Sequence, residues 1–149
     1  MNQYYGFYPG KINSVNRPKR TAMVEIVPFT DGLDEGIEAT FAYPISHDDK
    51  DTELEILNGA DVYVFFDQGD PMCPVIFGYR SHGEGAVLDY RRIRQTNIEL
   101  YAKKNIKLDA KTIDITGLEA VNIHSATLVN VISDTKVNVA APMVSINGM

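Results

Sequence analysis

The sequence predicts an all-β fold in two parts: a small N-terminal barrel, then a repetitive β segment whose apolar face other copies of the chain must cover. Three observations predict it. Apolar-x-apolar triplets recur every seven or eight residues through the last third of the chain. Five strand-like runs separated by turn signals fill the first eighty residues. In the repeat, apolar residues do not keep the three-and-four spacing of an amphipathic helix over ten residues or more.

The repeat is the stronger signal. Its apolar pairs are Ile98/Leu100, Ile106/Leu108, Ile113/Ile115, Val121/Ile123, Val129/Val131, Val137/Val139 and Val144/Ile146. A two-residue period puts both aliphatics of a pair on one face and the mostly polar middle residue on the other. β-branched side chains suit such a pleated, half-buried surface. Small or polar residues, such as Thr116-Gly117 and Ser133-Asp134-Thr135-Lys136, separate the pairs, so the chain turns a corner after each short strand. A single ribbon of this kind leaves its edges open and its apolar face wet. Single-chain β-helices need about twenty residues per coil, so the segment is too short to close on itself. Three copies wound about one axis close the edges and make a dry interior. The fourteen paired aliphatics are therefore the expected trimer core.

In the first part the expected strands are Tyr4–Val15, Thr21–Phe29, Ile37–Pro44, Asp61–Phe66 and Val75–Tyr79. Asn16-Arg17-Pro18, Asp31-Gly32, Asn58-Gly59 and Asp67-Gln68-Gly69-Asp70-Pro71 mark the turns. The runs at Val62–Phe66 and Val75–Phe77 are almost continuously apolar, as central barrel strands can be. Five short strands with one long connection, Ser46 to Asn58, fit a Greek-key barrel of OB type. Within that connection Asp48–Leu54 reads as a mobile loop or short helix. The expected layout is an OB-fold domain at 1–80, a linker at 81–95 and an intertwined trimeric β-helix, or β-prism, at 96–149.

Composition narrows the function classes. The chain has 149 residues, 44% hydrophobic and 23% charged, which is ordinary for a globular protein. A net charge of −6 argues against a general nucleic-acid binder, which carries a basic face. No apolar run approaches the length of a membrane span, and MNQYYGFYPGK lacks the pattern of a signal peptide. The single cysteine, Cys73, opens the run Cys73–Phe77 and reads as a packed thiol rather than a nucleophile.

With both parts in place, the order of features resembles the central-spike proteins of contractile-tailed phages. These are the baseplate assembly protein V family, with the related VgrG-type spikes of type VI secretion. The resemblance is carried by Tyr5–Ile12, Val24-Glu25-Ile26, Gly59–Phe66 and Gly69-Asp70-Pro71-Met72-Cys73-Pro74-Val75-Ile76-Phe77-Gly78-Tyr79, joined to the repeats. It implies a homotrimer in the tail baseplate of a virion, made in the host cytoplasm. An OB collar meets the tail hub or tube-ring proteins, and the spike crosses the host outer membrane on contraction. That work is mechanical, so no catalytic residue, cofactor or metal is expected. Tyr79 to Ile93 leaves no room for the lysozyme domain of some relatives. Other relatives bind iron through a His-x-His pair. Here His47, His82 and His124 form none, and a separate spike-tip protein at the C-terminus is the expectation.

Other candidate sites read as ordinary surface. His47-Asp48-Asp49 is a solvated loop, His82 bonds locally in the linker, and His124 faces out at a corner. Asp31-Gly32 and Asp67 to Asp70 lack calcium-loop spacing. The competing function is an OB-fold module for nucleic acid or carbohydrate with an oligomerising β tail. Arg17/Lys19/Arg20 and Arg80/Arg91/Arg92/Arg94 would supply its charge, and Tyr4, Tyr5, Phe7 and Tyr8 its stacking rings. The plainer reading gives those rings to a subunit interface, and Arg91, Arg92 and Arg94 to salt bridges with neighbouring chains.

Overall fold

The first strand, β1 (Tyr8–Asn16), carries the barrel's bend. Its first half pairs antiparallel with β4 (Asp61–Phe66) and its second half with β2 (Thr21–Glu25). A bulge between Ile12 and Ser14 shifts the register by one residue. Ile12 is therefore buried and Val15 still turns inward, three residues later, where strict alternation would put it outside. The structure is a computed structural model whose described residues are 2–45, 51–81, 83 and 85–145. It divides into two compact units, Met1–Glu99 and Leu100–Met149.

The first unit is all-β. Strand β3 (Ile37–Phe41) pairs antiparallel with β2 and parallel with β5 (Pro74–Tyr79), and β5 returns antiparallel to β4. The order β1-β2-β3-β5-β4 closes on itself as a five-stranded barrel, consistent with an OB-like fold. All five expected strands are present. Asp61–Phe66 has the expected bounds, and the others differ at their ends. Strand β2 stops at Glu25 because the chain turns back on itself beyond Ile26. The buried Thr30 hydroxyl accepts the Ile26 N–H at 2.9 Å, and the Thr30 N–H donates to the Ile26 carbonyl at 3.1 Å. Tyr4 precedes β1 instead of joining it, and its N–H donates to the Gly69 carbonyl, in the turn after β4, at 2.9 Å.

The core is Ile12, Ala22, Val24, Ile26, Ala39, Val62, Val64, Phe66 and Ile76, the inward members of each strand. Tyr4, Tyr8, Phe29 and Phe66 pack ring against ring over one part of it, with centroids 4.8–6.4 Å apart. Gly36, entering β3 at φ +84°, lies where a Cβ would collide with the Val24 carbonyl oxygen, so only glycine fits.

The Gly-Asp-Pro segment is a turn with its own hydrogen bonds. The Asp67 N–H donates to the Cys73 carbonyl, the Cys73 N–H to the Asp70 carbonyl, and the Met72 N–H to Asp70 Oδ1, each at 2.9 Å. This corrects the expectation for Cys73. It belongs to the turn before β5, its side chain is exposed, and its Sγ lies 3.9 Å from Asp70 Oδ2. Of the stretch expected as a loop or short helix, 48–50 lies outside the described residues and Asp51–Leu54 contains no helix.

In the second unit, no strand ladder forms among the described residues. The triplets have no partner strand within one chain, and a strand is defined by its neighbour.

Candidate assembly surface

The second unit repeats in three dimensions as it does in sequence. Bends fall at Lys103-Lys104, Lys111, Leu118-Glu119, Ala126-Thr127, Asp134-Thr135 and Pro142, one between each two aliphatic pairs. Two consecutive corners are built alike. The Ser125 hydroxyl accepts from the Thr127 and Leu128 N–H groups at 3.3 and 3.2 Å. Eight residues on, the Ser133 hydroxyl accepts from Thr135 and Lys136 at 3.4 and 3.1 Å. Local side-chain bonds of this kind turn a chain without help from the rest of the fold. At the corner before Val121, a Cβ on Gly117 would collide with the Ala120 carbonyl oxygen, which explains glycine there.

The aliphatic pairs share one environment. In every complete described pair the first member is 48–56% exposed and the second 64–72%. The first members are Ile98, Ile106, Ile113, Val121, Val129 and Val137, and Val144 matches them. The second members are Leu100, Leu108, Ile115, Ile123, Val131 and Val139, and these are the more open set. Ile98 belongs to the first unit, and Ile146 lies outside the described residues. The residues expected as a core thus form none within one chain. Leu108, Ile115 and Val131, like the other second members, are plainly exposed, because each extended triplet has no neighbouring strand to lie against.

No described residue of 96–145 is buried. A row of branched aliphatics on short extended triplets, half covered by its own chain and otherwise open, is an unfinished apolar surface.

The barrel carries a second apolar surface. Phe7 stacks against Phe65 of β4 and Phe77 of β5, with ring centroids 6.1 and 5.0 Å apart. Phe7 and Phe77 remain exposed, as do Tyr63 and Tyr79 on the same two strands. A bulge between Tyr63 and Val64 of β4 leaves Phe77 without a partner in the register, where it points outward. The sequence reading took Val62–Phe66 and Val75–Phe77 as central strands and missed this ridge. Its signal was present: in a two-residue period, Phe65-Phe66 and Ile76-Phe77 each place one large side chain outside. An apolar groove of about 240 Å³ opens nearby, with Phe41, Tyr43, Leu54, Ile56 and Tyr79 along its walls.

The rings expected at an interface divide. Tyr4 and Tyr8 pack within their own barrel, a correction to that expectation, whereas Tyr5 and Phe7 stay exposed. The basic residues do not form one groove. Arg17 makes a two-pronged bond to Glu53 at 2.8 and 2.5 Å, which holds that carboxyl below the usual carboxylate range and raises the guanidinium. Arg80 reaches Asp61 at 3.4 Å, and the Arg92 guanidinium lies 4.4 Å from the centre of the Tyr90 ring. Arg91 and Arg94 are exposed. His124 is exposed; His47, Asp48, Asp49 and His82 lie outside the described residues. Among the described residues no three His, Cys, Asp or Glu side chains gather as metal ligands, and no helix is long and apolar enough to cross a membrane.

No protein-family model and no curated protein matches the chain.

Proposed function

We propose that this chain is a structural component of a contractile-tail baseplate, the homotrimeric central spike that plugs the tail tube and pierces the host envelope. The observation that carries the reading is the second unit: from residue 96 to 145 no described side chain is buried, yet aliphatics recur in pairs of uniform exposure. Three copies wound together supply each triplet with a partner strand and each pair with a dry neighbour. Leu108, Ile115 and Val131, open in one chain, would then lie in the interior of the trimer. The product is a stiff rod, and stiffness is what piercing needs.

The first unit supports the same reading. A five-stranded OB-like barrel placed before the repeat is the arrangement of the spike proteins this chain resembles, with Gly69–Tyr79 forming the turn and last strand. In that role the barrels form a collar against the tail hub or tube ring, and the rod crosses the outer membrane when the tail contracts. The task is mechanical and asks for no cofactor.

Mass in solution tests it. Light scattering on the purified full chain is expected to give three times 16.6 kDa, in a species that resists dissociation by detergent. A 16.6 kDa monomer overturns the proposal.

A further inference from the structure

We infer that the linker segment Ala86–Asp89 is a strap that closes over the apolar groove at the end of the barrel, with Leu88 as its plug. The inference stands apart from the spike reading, since groove and linker both lie in the first unit. The groove exists because the sheet parts there. Strands β3 and β5 pair only at Thr40↔Val75 and Phe41↔Ile76, and the Ala42 N–H adds one bond to the Ile76 carbonyl at 2.9 Å. Past that bond, Tyr43, Pro44 and the end of β5 line the groove instead of pairing. The register sets Tyr79 opposite buried Val62, so the tyrosine stands on the core side of the sheet at the barrel's open end. Ile12, Val62 and Ile76 of the core also line the slot, which therefore reaches the interior.

The linker is tied on both sides of its apolar part to residues beside this groove. At its start, directly after Tyr79, the Arg80 N–H donates to the Asp61 carbonyl at 2.9 Å. At its far end Gln95 Oε1 accepts the Glu55 N–H at 3.3 Å, between Leu54 and Ile56 of the groove wall. Gln95 is accordingly half-buried, while every other described residue of 81–100 is exposed. Fourteen residues lie between the two ties. Their contour of about 45 Å lets the strap fold inward without breaking either tie. Its middle is shaped as an apolar tip. Gly83 at φ +78° and Asp89 at φ +61° both turn the chain in the left-handed region, which glycine and aspartate tolerate best. Between them Val87 and Leu88 are 60% and 78% exposed. Turns favour Gly, Asn, Asp and Ser, so two aliphatics at this one gain from an apolar destination that the ties keep close. The room suffices: a cavity of about 150 Å³ holds a benzene ring, and this groove offers about 240 Å³ to the Leu88 side chain. Closed, the strap makes the groove self-occluding, and an apolar ligand enters only by displacing Leu88.

Disulfide trapping in the full chain tests this. In a Cys73→Ser background, Leu88→Cys is paired with Leu54→Cys on the groove wall, both at exposed positions. Under mild oxidation the expected product is a disulfide within one chain, a faster-migrating band at monomer mass on a non-reducing denaturing gel. It should form severalfold faster than when Ala86→Cys takes the place of Leu88→Cys. Equal rates at the two positions mean random collisions of a loose tether and overturn the inference. A disulfide between chains puts another copy's linker in the groove and overturns it too, as does failure of both pairs to form. The readout lies within one chain and serves a monomer as well as a trimer, so this inference and the spike reading fail separately.

Discussion

Replacing Ile123 by Asp attacks one of the two most open members of the aliphatic pairs. Ile123 is 72% exposed and its partner Val121 50%. Full burial of an Ile side chain is worth about 2.5 kcal/mol, so covering the open fraction yields about 2 kcal/mol per chain. Across three chains the loss is about 6 kcal/mol, or about four orders of magnitude in the trimer's dissociation constant. The variant also buries three carboxylates near one axis, each costing several kcal/mol more. Light scattering should find the variant at monomer mass at concentrations where the native chain is wholly trimeric. A gentler pair guards against simple misfolding. Val139→Thr and Val137→Thr make the same isosteric change at 72% and 50% exposure, so the first should lower the trimer's thermal midpoint more than the second. Asn122→Asp, on the opposite face, should change little. A trimer of undiminished stability in Ile123→Asp, or Asn122→Asp as damaging as Val139→Thr, would refute the inside-outside assignment.

Two other expectations concern the barrel. Thr30→Val keeps the shape but leaves the buried Ile26 N–H without its acceptor, and should cost about 1–3 kcal/mol in urea unfolding followed by tyrosine signals, whereas Thr30→Ser should cost much less. The Arg17 bond holds the Glu53 carboxyl low, so its contribution is complete above the ordinary glutamate value of about 4.3 and fades as pH falls through the lower folded value. An NMR titration should place the Glu53 midpoint below that ordinary value in the native chain and return it there in Arg17→Ala; a native midpoint at or above it contradicts the bridge.

Much of the barrel was legible because its signals are local. Val62-Tyr63-Val64, bounded by Asn58-Gly59 and Asp67–Pro71, can be little else than a strand between turns, and its bounds came out as expected. The strand ends were less legible, because distant groups decide them. Tyr4 stands before the first strand with its N–H bonded to Gly69, sixty-five residues away, and β2 ends where the Thr30 hydroxyl captures the Ile26 amide. Cys73 misled because it adjoins an apolar run, while its backbone belongs to the preceding turn.

By itself, the sequence determined the period. Aliphatic pairs every seven or eight residues, separated by small or polar residues, dictate a repeat of short apolar triplets that one chain covers only in part. Only the tertiary structure decided the phase, meaning which large side chain of each apolar run points out. Bulges after Ile12 and Tyr63, and the parallel closure of β3 on β5, set that phase. A one-residue shift moves a side chain through the sheet from core to solvent. Such shifts come from pairing between distant strands, which leaves no periodic trace along the chain. The Phe7–Phe65–Phe77 ridge became visible only once the barrel was closed.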